Sequence, residues 1–270
     1  MGVSRPVGEE IDLSSPYKQV RSIQRGLDVL LCLNLHGPLS VQGLSHHTGL
    51  TRATLYRIVE TLETLGYVSR ATLDDTVRLT SKVLSLSNGY EQGEELAAAA
   101  KDALLFLLSC TGWPSSVGTL CKDSMLIRET THGRAEVFVR NTLVGTKSPV
   151  LTTAMGRSYL SFCDDDERQK SLSTIAHSSS TEAELARDMA YVSRLVSETR
   201  EAGFGFGAGY PDLGGIALPI RFRRKVVAGL NIVFRRSFIA PNKAIDKFLP
   251  PLADAVSMIE RNLEQQSSIR

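Results

Sequence analysis

The chain has 270 residues and a formal net charge of +2, with 42% hydrophobic and 22% charged residues. These are ordinary proportions for a globular protein of one large or two average domains. They exclude a polyanion binder announced by bulk charge, and no apolar run approaches the roughly 18 residues of a membrane span. The four cysteines, Cys32, Cys110, Cys121 and Cys163, form no CxxC pair, so reduced thiols in a cytoplasmic protein are expected rather than disulfides or a zinc cluster.

Residues 1–18 mix Arg5, Glu9, Glu10 and Asp12 without an apolar stretch, which predicts a flexible arm and no secretion signal. From Lys18 to Lys82, eight basic residues face five acids, and this surplus of three exceeds the +2 of the whole chain. The arrangement of those charges therefore matters more than their number.

Ser22 is placed to cap a first helix whose stripe is Ile23, Leu27, Leu30, Leu31 and Leu35, stopped by Gly37-Pro38. Ser40 can cap a short second helix with Val41 and Leu44 inside, and Gly49 suits its left-handed end. Thr51 can cap a third helix that buries Leu55, Ile58, Val59, Leu62 and Leu65, closed by Gly66. Two short helices joined by a tight glycine turn predict a helix-turn-helix. The third helix carries Thr51, Arg52, Thr54, Tyr56 and Arg57 near its start, off the apolar stripe. A helix entering the major groove needs hydroxyls and guanidinium groups at that end. The segment "YVSRATLDDTVRLT" (67–80) reads as a hairpin, a wing with Arg70 and Arg78 on its strands. Arg21 and Arg25 add charge beside it. The competing reading is a structural three-helix bundle with a solvated arginine face.

His46 and His47 are adjacent, so on a helix their side chains diverge by about 100°. A helical metal pair requires i, i+4 spacing and a further ligand. No metal site is expected, and no cofactor.

Residues 82–111, "KVLSLSNGYEQGEELAAAAKDALLFLLSCT", predict a helical linker, whose second half can equally be a helix of the following domain. Beyond it, "SVGTLCKDSMLIRETT" folds back at Lys122-Asp123-Ser124, and "AEVFVR" is another strand. "LTTAMGRSYLSFC" is a helix capped by Thr152 or Thr153. Thr181 and Glu184 suggest a capping box for a helix reaching Ala202, ended by Gly203. Strands over 216–222 and 226–234 flank a turn at Arg223-Arg224-Lys225, and Asn242 begins a last helix. Antiparallel strands with interspersed helices predict an α+β domain over 112–270.

Catalysis finds little support. Cys163 is trailed by Asp164–Asp166, a like-charge setting that raises a thiol pKa. His132 and His177 have no nucleophile motif beside them, and the glycines of "GFGFGAG" lack dinucleotide spacing. A small-molecule-processing enzyme with an accessory interaction domain is the alternative reading. The start of the Thr152 helix, with hydroxyls at Thr152 and Thr153 and free N–H groups, suggests a carboxylate receptor.

The segments "VRSIQRGLDVL", "LSVQGLSHHTGLTRATLYRIVETLETLGYV" and "VRLTSKVLSLSNGY" resemble the N-terminal domain of IclR-family transcriptional regulators. "TTAMGRSYLSF", "EAGFGFG" and "GGIALPIRFRRKVVAGLNIVF" follow the order of that family's effector domain. "WPSSVGTL" followed by "MLIRETTHG" looks most like regulators of aromatic-acid breakdown of the MhpR type. The resemblance implies a winged helix-turn-helix over 19–81, the linker over 82–111 and a GAF-like effector-binding domain. It places effector contacts at Val137, Arg140, Ala154, Met155, Gly215, Asn231 and Val233. Double-stranded operator DNA, a small aromatic carboxylate, a homodimer or tetramer and RNA polymerase are the partners it implies.

Overall fold

The turn between the second and third helices is fastened by side chains of its own. In a computed structural model that describes residues 20–71, 75–86, 94–135, 144–207 and 212–268, the first unit begins with α1 (Arg21–His36), β1 (Leu39–Ser40), α2 (Val41–Thr48) and α3 (Arg52–Thr64). Ser40 accepts from the Gly43 amide at the start of α2, and Gly49 ends it at φ 70°. Ser45 Oγ then donates to Leu50 O at 2.7 Å, and Thr48 Oγ1 to Leu44 O at 2.7 Å. Thr51 caps α3 by accepting from the Thr54 amide. These bonds use up donors and acceptors that a sharp bend would otherwise leave unpaired. Strands β2 (Val68–Arg70) and β3 (Thr76–Leu79) pair antiparallel, and β1 joins the other edge of β3. Val29, Leu33, Leu44, Leu55, Val59, Val68 and Val77 meet in one buried cluster.

The first helix corrects the sequence reading. Its buried residues are Val29, Cys32 and Leu33. Ile23, Leu27 and Leu31 are instead 62%, 52% and 58% exposed. The middle of α1 is apolar on two sides, and packing against α2, α3 and β3 took the side that residue type alone did not single out. The helix starts after Val20 without a side-chain cap, so Ser22 is not its cap. Leu65, at 51% exposed, also lies outside the core expected for α3.

The second unit starts at residue 92. Of the segment read as a linker, Ser81–Leu86 is a 3-10 helix and Glu94–Thr111 is α4. Helix α4 buries Leu96, Ala99, Ala100, Ala103, Leu104 and Leu107 in the same cluster as α9 (Pro241–Ser268), so it is a core helix of this unit.

Strands β4 (Ser115–Cys121), β5 (Ser124–Thr130), β6 (Lys147–Ser148), β7 (Gly205–Gly207), β8 (Leu213–Phe222) and β9 (Lys225–Arg235) form an antiparallel sheet ordered β6-β5-β4-β9-β8-β7. The "AEVFVR" strand expected at 135–140 falls almost wholly outside the described residues. One face of the sheet, with Val117, Leu230, Ile232 and Phe234, packs on α4 and α9. The other carries α5 (Ala154–Phe162), α6 (Asp165–Ala176), α7 (Ala183–Arg187) and α8 (Met189–Ala202), with Met155, Tyr159, Leu160 and Ala217 between. The two units are thus a winged helix-turn-helix and an α+β domain.

Two helix starts differ from expectation. Asp164 caps α6 by accepting from Glu167 N at 2.8 Å, so the acidic run is a helix start, with three acids in the favourable first turn. Helix α8 is capped by Asp188, not by a Thr181–Glu184 box. Gly205 and Gly207 serve close approach: a Cβ there would stand 2.2 Å from Ala154 O and 2.5 Å from Ala154 N.

Candidate functional site

On α3 the exposed positions are Arg52, Ala53, Tyr56, Arg57, Glu60, Thr61, Glu63 and Thr64, and the buried ones are Leu55, Val59 and Leu62. At about 100° per residue, Arg52 through Glu60 of the exposed set fall within an arc of about 140°, outside the buried stripe of Leu55, Val59 and Leu62. Neither Arg52 nor Arg57 joins an ion pair among the described residues. Thr51 and Thr54 are occupied in part by each other, with hydroxyls 2.9 Å apart. Two guanidinium groups without ion pairs and a phenol therefore share one open helical face with Glu60, with the positive end of the helix dipole near its start.

Arg21 and Arg25 are exposed on α1, and Arg78 is exposed on β3. Arg70 departs from its expected place as a projecting wing cation. Its Nε lies 3.3 Å from Glu63 Oε2, and its guanidinium carbon sits 5.7 Å from the Tyr56 ring centre. Glu63 also accepts from the Arg70 amide at 3.1 Å, so the end of α3 draws this side chain inward. Imidazoles from two helices meet nearby: His36 stacks on His47 at 4.0 Å, with His46 edge-on at 5.3 Å. Among the described residues no cluster of three or more His, Cys, Asp or Glu side chains can hold a metal.

In the second unit, Ala154 and Met155 at the start of α5 face β8 and β9. A Cβ on Gly215 would lie 3.1 Å from Ala154 Cβ, and Cβ atoms on Gly118 and Gly229 would lie 2.7 and 2.9 Å from Met155 Sδ and Cγ. Gly215 pairs in register with Val233, and Ala217 with Asn231. Ala154, Met155, Gly215, Asn231 and Val233 therefore share one sheet face. Val137 and Arg140 lie outside the described residues.

The carboxylate receptor expected at the start of α5 is already filled. Glu182 is 2% exposed, and its carboxylate accepts from the amides of Val150, Leu151 and Thr152 at 2.7, 2.9 and 2.6 Å and from Thr152 Oγ1 at 2.7 Å. Thr153 caps the helix, and its hydroxyl donates to Pro149 O. Three oriented N–H groups form a natural anion nest, and the chain supplies its own anion. Neither threonine is left to receive an external carboxylate.

The thiol read as a rejected nucleophile is also accounted for. Cys163 is buried and donates to Leu160 O at 3.3 Å. Burial, followed by the nearby Glu167 and Asp164 and partly offset by Arg168, pushes its pKa up to about 11.

Two family models match this architecture. The IclR helix-turn-helix domain covers residues 22–71, from α1 to just past β2, and the C-terminal domain of bacterial IclR transcriptional regulators covers residues 89–261. The chain belongs to the IclR family. IclR proteins are transcriptional regulators that bind DNA through this helix-turn-helix, and they are not enzymes. The chain is 26% identical over 226 residues to the transcriptional regulator KdgR of Escherichia coli, covering 83% of this chain and 85% of that protein. It is 28% identical over 222 residues to the Pca operon regulatory protein of Acinetobacter baylyi, covering 80% and 79%. Its fold matches an IclR homolog from Microbacterium hydrocarbonoxydans complexed with 4-hydroxybenzoate, with TM-score 0.61 at 22% identity over 90% of this chain and 99% of that one. No described helix of this IclR protein is long and apolar enough to cross a membrane.

Sequence reading missed Ser116 and Thr130 on the second unit's α5 face, and singled out His132 only as a candidate base and not as their hydrogen-bond partner, because a strand shows which residues alternate but not which neighbours it will receive. It missed Glu182 for a similar reason: the carboxylate acts on amides thirty residues earlier in the chain.

Proposed function

We propose that this chain is an operator-binding regulator whose activity responds to a small carboxylate, of the aromatic-acid class handled by MhpR-type regulators. The observation that carries the DNA half is the open arc of α3 holding Arg52, Tyr56 and Arg57. A recognition helix presents such an arc to base edges and phosphates, and Arg21, Arg25 and Arg78 supply further cations for the flanking backbone. Thr51 and Thr54 act at the leading end, where the capped N-terminus favours phosphate. Arg70 is a weaker contributor, since Glu63 already holds it.

The effector half rests on the α5 face of the second unit, where Ala154, Met155 and Val233 supply apolar surface and Asn231 a polar group. Arg140 is our candidate for the carboxylate partner, because Glu182 has taken the nest at residues 150–152. Two regulators of Pca genes are among the relatives, and one structural neighbour was solved with 4-hydroxybenzoate. The 4-hydroxybenzoate complex supports the aromatic-acid class.

A homodimer, or a tetramer built from dimers, would place two α3 helices in successive major grooves about 34–36 Å apart. The exposed ridge Ile23, Leu27 and Leu31 on α1 supports such pairing. RNA polymerase is a further proposed partner. The deciding experiment measures binding of DNA from the chain's own promoter region with and without aromatic carboxylates. A ligand-dependent change of about 5–150-fold in affinity is the usual range of such coupling. Binding that is indifferent to sequence would overturn the reading.

A further inference from the structure

Three neighbouring strands carry polar groups side by side on the face that α5 covers. Ser116 on β4 pairs in register with Thr130 on β5 and with Asn231 on β9. Two positions further along, Gly118 pairs with Gly229 beneath Met155, so Ser116 and Asn231 point to the same side as Met155. Ser116 is 1% exposed. Its Oγ lies 2.8 Å from Thr130 Oγ1 and 3.3 Å from His132 Nδ1, and Thr130 Oγ1 lies 2.8 Å from that same nitrogen. Thr130 Oγ1 also donates to Ser115 O at 3.2 Å. The Asn231 Oδ1 atom is buried beside this cluster with no hydrogen-bond partner.

A polar row across the middle of an otherwise apolar sheet face costs stability unless each group is satisfied. The hydroxyls and imidazole satisfy one another, but the Asn231 amide does not join them. Oxygen and nitrogen of an amide can exchange places by rotation, so its complement must be able to donate and to accept. A hydroxyl does both, whereas a carboxylate only accepts. The bonds joining Ser116, Thr130 and His132 run through hydroxyls, an imidazole and a backbone carbonyl, and the Asn231 Oδ1 beside them lacks a donor, which a hydroxyl supplies and an ionised carboxylate does not.

We propose that Ser116, Thr130, His132 and Asn231 form a hydroxyl-receiving pole of the effector site, selecting ligands whose apolar body carries a hydroxyl group in addition to the acid. This rests on the reading of the α5 face as the effector site and specifies the ligand class it takes. The acid group of such a ligand points away from this pole.

The test is calorimetric titration of the full-length protein with benzoate and its three monohydroxy isomers, in the wild type and in the Asn231→Leu and Ser116→Ala variants. The best hydroxy isomer should bind wild type about tenfold tighter than benzoate, the scale of a good hydrogen bond to a buried group. Each substitution should bring that ratio to within about twofold. If benzoate binds wild type as tightly as every isomer, or the ratio survives in both variants, the pole is overturned while the aromatic-acid reading stands. If wild type binds none of the four probes, the aromatic-acid reading itself falls and takes the pole with it. Should near-ultraviolet circular dichroism show Asn231→Leu misfolded, the Ser116→Ala ratio decides alone.

Discussion

The carboxylate of Glu182 lies 2.6 Å from the amide nitrogen of Thr152 and 2.7 Å from its hydroxyl. One buried side chain thereby ties the segment before α5 to the segment before α7. It also fixes where α5 begins, and so where Ala154 and Met155 meet the sheet. Charge-assisted bonds of this kind are the stronger class of hydrogen bond.

Glu182→Ala should therefore destabilise the second unit by about 3 kcal/mol, since three amides lose a buried acceptor. Glu182→Gln, which keeps one acceptor oxygen, should cost clearly less. Thermal unfolding followed by circular dichroism checks both, and added acetate should recover part of the loss in the alanine variant only.

Arg57→Ala should weaken operator binding and lower the slope of log affinity against log salt by about one. Fold and effector binding should be unchanged. Fluorescence anisotropy at several salt concentrations measures it. A slope and affinity equal to wild type would remove Arg57 from the DNA interface.

Arg70→Ala provides the contrast. Its Nε is already 3.3 Å from Glu63 Oε2, so the loss in operator affinity should stay below about threefold, a surface ion pair being worth at most about 1 kcal/mol. A loss as large as that of Arg57→Ala would show that DNA displaces Glu63.

Leu27→Asp on α1 should shift the protein towards monomer and reduce operator affinity in parallel, without unfolding the first unit. Leu27 is 52% exposed, so the substitution leaves no cavity. Sedimentation velocity reads the assembly state, and unchanged sedimentation would place the subunit contact elsewhere.

Alkylation should separate the cysteines. Cys110 is exposed and Cys163 buried. With the Cys163 thiol pushed up to about 11, only about one part in a thousand is thiolate at pH 8, and the thiolate is the form that reacts. Iodoacetamide at pH 8 should label Cys110 and spare Cys163 in the folded chain, while denaturation should expose both. Peptide mass analysis distinguishes them.

The sequence by itself determined the helix-turn-helix. Its caps Ser40 and Thr51, its glycine turn at Gly49 and the split of α3 into apolar and basic faces are all local, set within a few residues by hydrogen bonds and 3.6-residue periodicity. It also determined the β4–β5 and β8–β9 hairpins, whose turns are equally local. Only the tertiary structure decided which face of α1 is buried, because that helix is apolar on more than one side and its neighbours made the choice. Only it, too, showed Glu182 in the nest before α5, and Thr130, Ser116 and Asn231 in one row. Those contacts join residues fourteen to more than a hundred positions apart. Spacing along a chain carries no distance information once strands from separate segments pair.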